Sequence, residues 1–307
     1  MKQYLRNDNG FVEVDEWSPD VWVNIECPDE ADNDYLSREL GVPLSFLESL
    51  SDVDERPRVD AENGWMLTIL RVPVPDASGT MPYTTVPFGI ITNDDYILTV
   101  CCHATEMVPD FINYTRRRCI EVRTRPDFVL RILFSATSWF LHYLKQINSA
   151  VQSVEHELEK SVRNDDLLGL MRHQKTLVFF NTSIRGNEVL LERLRSIYGE
   201  EINADLLEDL EIEMKQADNT VSVYSDILAA AMDAFASIIS NNVNAIMKRM
   251  TAISIILMVP TLIASLYGMN VAGLWPATVP GAFALVIVMA VVLTFAAWML
   301  LKKLKWF

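Results

Sequence analysis

Thr251-Ala252-Ile253-Ser254-Ile255-Ile256-Leu257-Met258-Val259-Pro260-Thr261-Leu262-Ile263-Ala264-Ser265-Leu266-Tyr267-Gly268-Met269-Asn270 decides the fold class of this 307-residue chain. A second apolar run, residues 281–301, follows a short loop containing Gly and Pro, and no charged residue occurs between Met250 and Leu301. The hydrocarbon core of a bilayer is roughly 30 Å thick, and a helix needs about 20 apolar residues to cross it. The tract supplies two such stretches. A membrane hairpin is therefore expected, with almost everything else outside the lipid.

Charge is distributed unevenly around that hairpin. The formal net charge is −15, and all 41 Asp and Glu precede the apolar tract. Five basic residues, Lys248, Arg249, Lys302, Lys303 and Lys305, form a collar around it. Setting them aside from the 26 leaves 21 positive against 41 negative residues in 1–247, a net of −20. Basic flanks are retained on the cytoplasmic side, so both termini are expected there, with only the loop 271–280 on the far side. The opening residues 1–8 lack an apolar core, so neither a cleavable signal peptide nor a transit segment is expected. Cys27, Cys101, Cys102 and Cys119 show no C-x-x-C spacing and are expected as reduced core residues. An acidic soluble part repels nucleic acid. It serves solubility alone, or it senses divalent cations.

Residues 1–125 read as a cytosolic α/β domain, with apolar runs at 21–25, 65–74, 86–92 and 96–102. Two short helices are expected between the first two runs, one N-capped within Asp32-Asn33-Asp34 and ending at Gly41, the other from about Pro43 to Ser51-Asp52. From Pro126 the pattern becomes long helix. Val129, Leu133, Phe140, Leu144, Ile147, Val151, Val154 and Leu158 recur at spacings of three and four, and Asn164-Asp165-Asp166 separates this helix from a second reaching Tyr198. Residues 126–202 are thus expected as an antiparallel hairpin. Residues 203–250 read as a stalk helix continuous with a first transmembrane helix at 251–270. More than 60 residues at 1.5 Å each make roughly 100 Å. The loop 271–280, a second transmembrane helix at 281–301 and a basic tail at 302–307 complete the chain.

The two membrane helices differ in composition. Residues 281–301 are almost wholly aliphatic, which suits a lipid-facing position. The first instead carries a stripe: Asp233, Ser237, Ser240, Asn244, Met247, Thr251, Ser254, Met258, Thr261, Ser265 and Gly268. None of these positions holds Leu, Ile, Val, Phe or Trp. A 3.5-residue repeat keeps one helix face on a bundle axis, and here that face is small, polar or thioether. Small residues also let membrane helices approach closely, and Ser and Thr also bond their own backbone. The ordering favours a pore, because oxygen ligands alternate with narrowings at Met247 and Met258 that favour dewetting. Two helices cannot enclose a channel, so a symmetric oligomer is required.

At Tyr267-Gly268-Met269-Asn270 the chain resembles the CorA family of magnesium channels. Asn244-Ala245-Ile246-Met247-Lys248 resembles the family's segment just before the membrane. Residues 251–265 resemble its pore helix, with the Pro shifted by one. Lys302-Lys303-Leu304-Lys305-Trp306-Phe307 is similar to its basic, aromatic end, and Arg56-Pro57-Arg58-Val59 to a segment of its soluble domain. The resemblance implies a homopentameric funnel with an α/β/α cytosolic domain in the bacterial inner (plasma) membrane. It implies passive Mg2+ influx, with Co2+ or Ni2+ as surrogates, inhibited when intracellular Mg2+ occupies acidic sites between subunits. Carried over by position, Asn270 matches the selectivity residue of a filter formed by Tyr267, Gly268, Met269 and Asn270. Asn244 and Asp233 match polar rings, Met247 and Met258 the hydrophobic narrowings, and Asp76 and Asp209 the regulatory carboxylates. The chain departs from the family in its external loop, which lacks the usual acidic residue. The related ZntB-like zinc transporters usually vary the middle residue of Gly-Met-Asn, so Met269 favours the magnesium branch.

The chemistry fits such an ion. Mg2+ prefers octahedral oxygen coordination and gives up water reluctantly, so neutral Asn270 acceptors suit outer-shell recognition with escapable binding. A divalent cation gains about 4.6 kcal/mol through 100 mV, worth more than a thousandfold concentration ratio. No P-loop or nucleophile–base pair is present, so no enzyme activity and no organic cofactor are expected. Cys101-Cys102-His103 is expected to pack rather than bind metal, because adjacent strand residues face opposite ways. His142, His156 and His173 are expected at the surface, and Tyr267 and Trp275 as interfacial anchors. The alternatives are a Zn2+ or other transition-metal carrier of the same architecture and a non-conducting membrane-anchored cation sensor.

Overall fold

A computed structural model describes residues 2–19, 21–160, 164–269, 275, 280–304 and 306, with the side chains of 155–160, 164 and 166 outside the description. The chain divides into two compact units, Met1–Met232 and Asp233–Phe307.

The first unit is built on a seven-stranded sheet of order β2-β1-β3-β7-β6-β5-β4. Its strands are β1 (Lys2–Asn7), β2 (Phe11–Val14), β3 (Val21–Glu26), β4 (Arg58–Glu62), β5 (Trp65–Pro75), β6 (Tyr83–Thr92) and β7 (Ile97–Cys101). β3 and β7 run parallel and all other neighbours antiparallel. β1, β2 and β4 add to the four strands expected. β1 and β4 are mostly polar, with Leu5 the one buried residue of β1 and none in β4, so they carry little apolar signal. The β4–β5 connection is nonetheless written in the chain. Asn63 and Gly64 both sit at positive φ (52° and 82°) between the paired Glu62 and Trp65, the Asn-Gly turn that matches strand twist.

One sheet face is covered by α1 (Glu30–Asp34), a π-helical turn Tyr35–Glu39 and α2 (Leu44–Ser51). Leu36, Phe46 and Leu50 pack there on Val23, Leu67 and Ile69. The first helix begins earlier than the expected cap within 32–34. Asp29 is the N-cap, its carboxylate accepting from the Asp32 amide at 2.8 Å while Asp32 accepts from the Asp29 amide at 3.4 Å. This reciprocal pair satisfies two orphan helix donors at once. The opposite face carries α3 (Met107–Arg118), α4 (Arg125–Lys160) and α5 (Asn164–Tyr198), so the layers are α/β/α. Strand alternation turns Trp22 toward these helices, where its ring meets Phe11, Phe111 and Phe128 with centroids 4.9, 6.0 and 5.1 Å apart. Its indole N–H donates to Thr99 Oγ1 at 2.8 Å, and that hydroxyl donates to Asn24 at 2.8 Å.

α5 is bonded to β6 through Thr176 and Ser183 and closes the edge of β5 with Asn187. β4 pairs with β5 only as far as Arg58↔Ile69, which leaves the next outward-facing backbone groups of β5 without a strand partner. Buried Asn187 supplies both halves of the missing pairing: its Oδ1 accepts the Arg71 amide at 2.9 Å and its Nδ2 donates to the Arg71 carbonyl at 2.8 Å. The Arg71 guanidinium, also buried, donates to the carbonyls of Val53, Glu55 and Thr85. At the preceding residue, a Cβ on Gly186 would lie 2.9 Å from Pro57 Cγ, so the close approach of α5 to the 54–57 loop requires a residue without a side chain.

Two expectations are corrected. Cys27 and Cys119 are exposed rather than buried, because each ends an element in the left-handed region, at φ 50°. Cys101 is buried, and burial pushes its thiol up to about 12. Its Sγ meets the Pro87 carbonyl at 3.5 Å while Cys102 Sγ meets Leu50 O at 3.4 Å, so the neighbouring thiols diverge. His142 is exposed, but His173 is half-buried, with burial lowering its pKa; the His156 side chain lies outside the described residues.

α6 (Ala204–Tyr267) is a single helix of 64 residues, opened by Asn203, whose Oδ1 accepts from the amides of Asp205 and Leu206. Within the first unit it buries Leu210, Met214, Ala217, Val221 and Leu228 and pairs with α5 through Arg195–Glu211 and Arg185–Asp218, both at 3.2 Å. In the second unit α6 faces α7 (Ala282–Lys303), and both helices are long and apolar enough to cross a membrane.

Candidate ion pathway

The eleven stripe positions from Asp233 to Gly268 are all exposed, with Met247 and Met258 60% and 65% accessible. Across the apolar stretch, a different face of α6 looks toward α7: Ile256, Pro260, Ile263 and Tyr267 line the groove between the helices. Each of these lies two residues after Ser254, Met258, Thr261 and Ser265 respectively. At 3.6 residues per turn that is about 200° around the helix, so the polar stripe points away from the second apolar helix of its own chain. Gly268, one residue past α6, belongs to both faces.

The hydroxyls on the stripe are internally engaged. Ser254 Oγ donates to the Met250 carbonyl at 3.0 Å and Thr261 Oγ1 to the Leu257 carbonyl at 2.7 Å, the i−4 bonding common to Ser and Thr in helices. Their oxygen lone pairs remain outward. The Gly268 amide still donates to the Ala264 carbonyl at 2.9 Å, and a Cβ at Gly268 would lie 3.1 Å from that oxygen. Tyr267 donates its hydroxyl to the Trp275 carbonyl at 2.9 Å, tying the helix end to the loop. Asn270 and Lys305 lie outside the described residues. Lys248, Arg249, Lys302 and Lys303 are exposed at helix positions flanking the apolar spans.

The two acidic positions in the first unit have different surroundings. Asp209 is exposed on α6 and, with Asp110, Tyr114, Arg131 and Ser138, lines a cavity of about 330 Å³. Asp76 organises the β5–β6 loop: it accepts from the Ser78 amide (3.0 Å), the Ser78 hydroxyl (2.8 Å), the Thr80 hydroxyl (2.9 Å) and the Met81 amide (2.9 Å). These bonds, the Ser78 hydroxyl foremost, hold its carboxyl well below the usual carboxylate range. A depressed folded-state pKa contributes stability that is complete above the unfolded value and is lost as pH falls through the folded one. Asp76→Ala is therefore expected to speed amide exchange at Ser78 and Met81 at neutral pH, the difference from the parent shrinking only below the ordinary carboxylate range. Among the described residues, no three His, Cys, Asp or Glu side chains converge as a metal cage within one chain.

Sequence reasoning did not single out the aromatic pair on the α7 wall of the groove, Phe295 and Trp298, which precede the collar residue Lys302 at helical spacing. The rings of Phe295 and Trp298 stand 5.5 Å apart, and the Lys302 ammonium lies 5.1 Å from the Trp298 ring centroid. That spacing was visible in the chain, but uniform apolarity masked it.

The chain is similar to known proteins over most of its length. It is 25% identical over 292 residues to the cobalt/magnesium transport protein CorA of Methanocaldococcus jannaschii, covering 93% of this chain and 91% of that protein. It is 24% identical over 306 residues to the Thermotoga maritima protein of the same name, covering 94% and 84%. The complete structure of the CorA magnesium transporter from M. jannaschii superimposes with a TM-score of 0.81 at 24% identity, covering 99% of this chain and 96% of that one. The model of the family described as CorA-like Mg2+ transporter protein matches residues 20–303. That span takes in five of the seven strands, from β3 onward, with the helical hairpin and both apolar helices, and the chain belongs to the CorA-like Mg2+ transporter family.

Proposed function

We propose that this chain forms a passive, potential-driven influx channel for Mg2+, with Co2+ or Ni2+ as surrogates, in the inner (plasma) membrane. It works as a homopentamer in which five copies of α6 turn their stripes to a common axis, with both termini cytoplasmic. The observation that carries the reading is the opposition of faces on α6. The side toward α7 is apolar, whereas the side bearing Ser254, Met258, Thr261 and Ser265 is exposed and looks away from α7. In a bilayer such a side is unfavourable against acyl chains and is stabilised by a hydrated axis. Hydrated Mg2+ is recognised at the Tyr267–Asn270 filter, passes the Met258 and Met247 narrowings, and leaves by the Asn244 and Asp233 rings. The names of the two relatives, cobalt/magnesium transport proteins, support this ion class over a ZntB-like Zn2+ carrier.

The test is uptake by the purified chain in proteoliposomes under an imposed inside-negative potential. Mg2+ is expected to enter, to stop when the potential is collapsed, and to be blocked by hexaamminecobalt, an analogue of the hydrated ion. Zn2+ uptake in preference to Mg2+ selects the transition-metal alternative, and no uptake of either selects a sensor.

Gating follows from the −20 charge of residues 1–247. Mg2+ bridging acidic subunit faces, Asp209 and Asp76 among them, holds a closed symmetric bundle, and its loss lets like charges spread the subunits. Asp209→Asn is expected to shift inhibition by internal Mg2+ to higher concentration. An unchanged inhibition curve removes Asp209 from the mechanism.

A further inference from the structure

α7 does not close on α6. Between the two helices runs a groove of about 960 Å³, walled by Ile256, Pro260, Ile263, Val286, Phe295 and Trp298. Its two hydroxyl groups are already engaged: Thr294 donates to the Ala290 carbonyl at 2.7 Å and Tyr267 to the Trp275 carbonyl. Apart from the Trp298 indole N–H beside Lys302, the walls thus offer dispersion contacts, which suits hydrocarbon rather than a polar ligand. A void there would forfeit those contacts along its whole lining. At the α7 end of the groove the lining ring of Trp298 carries the Lys302 ammonium at 5.1 Å, and Lys303 follows in sequence, both lysines exposed.

We propose that the α6–α7 groove holds one acyl chain of an anionic glycerophospholipid whose phosphate is bound by Lys302 and Lys303. The span from Ile256 to Tyr267 rises about 17 Å, close to the ~15 Å depth of one leaflet. Charge complementarity decides between lipid and a second copy of the chain. No Asp or Glu follows Asp233, so the membrane segment of another copy brings no acidic side chain to the two lysines, whereas a phosphodiester does. The inference requires that the two helices span a bilayer, but it does not require that ions pass between subunits.

The experiment uses Trp298 as the reporter. The full chain is placed in phosphatidylcholine vesicles doped with brominated phosphatidylglycerol or, separately, brominated phosphatidylcholine. The Trp298 contribution is isolated by subtracting Trp298→Phe from the parent, which has seven Trp. Brominated phosphatidylglycerol is expected to quench Trp298 at a mole fraction roughly twentyfold lower than the zwitterionic lipid, about fivefold per lysine near an anionic headgroup. Lys302→Gln combined with Lys303→Gln should bring the two curves together, and Ala290→Phe, which fills the groove, should abolish the high-affinity phase. Equal quenching by both lipids in the parent overturns the headgroup assignment. No Trp298 quenching by either lipid shows the groove covered by protein and overturns the proposal. Magnesium uptake is not measured, so failure of the channel reading and failure of this one are separately visible.

Discussion

Asn187→Ala is expected to lower the unfolding free energy of the first unit by about 2–6 kcal/mol. Two backbone groups of Arg71 currently bond this one amide, at 2.9 and 2.8 Å, in a site from which water is excluded. Truncation leaves both the N–H and the C=O buried without partners, at about 1–3 kcal/mol each. Against a total stability of roughly 5–15 kcal/mol for a domain, that is a large fraction. Thermal unfolding of the purified chain reads the loss, and amide exchange at Arg71 locates it. Asn187→Asp separates the two bonds, since a carboxylate keeps an acceptor for the Arg71 amide but offers no donor to its carbonyl. It should restore exchange protection at the Arg71 amide without restoring full stability. An Ala variant as stable as the parent would mean that another group closes the β5 edge.

The second large effect concerns transport. Asn270→Ala is expected to reduce Mg2+ uptake by about a hundredfold or more while leaving assembly and thermal stability unchanged. Two decades correspond to about 2.8 kcal/mol. Shared among the five subunits of the proposed assembly, that is less than one ordinary net hydrogen bond of about 1 kcal/mol per side chain, so loss of the proposed acceptor ring is sufficient. Sensitivity to hexaamminecobalt should fall in parallel, because the analogue presents the same outer shell. Uptake equal to the parent in a correctly assembled Asn270→Ala protein would remove the filter from the reading and favour a membrane-anchored sensor.

What the chain made legible and what it hid have the same physical origin. Long periodic segments were readable from their own residues. α6 announces itself by more than fifty residues without Gly or Pro before Pro260, and its polar stripe by the positions from which large aliphatic residues are missing. The pairing of β3 with β7, by contrast, joins residues about 75 positions apart, and nothing local states such a contact. β1 and β4 bury almost nothing, so alternation was too faint to mark them. α3 was hidden between a strand and a long helix, although Met107, Val108, Phe111, Ile112 and Thr115 form a buried helical face. Asn187 was illegible for a further reason. An amide inside a helical run looks like a solvated residue until the edge it completes is known. In the candidate pathway, residue types and spacing were readable, but which side of α6 meets α7 was not, because both sides contain apolar residues.

The engaged hydroxyls of α6 carry one more implication. The hydroxyls of Ser254 and Thr261 point their hydrogens at the Met250 and Leu257 carbonyls, so what remains outward is electron density alone. Chloride needs donors and meets none at these two side chains, whereas water in the shell of a cation arrives with hydrogens foremost and is received. In the proposed pore, anions would thus be turned away along this stretch by the orientation of two side chains, without a single formal charge.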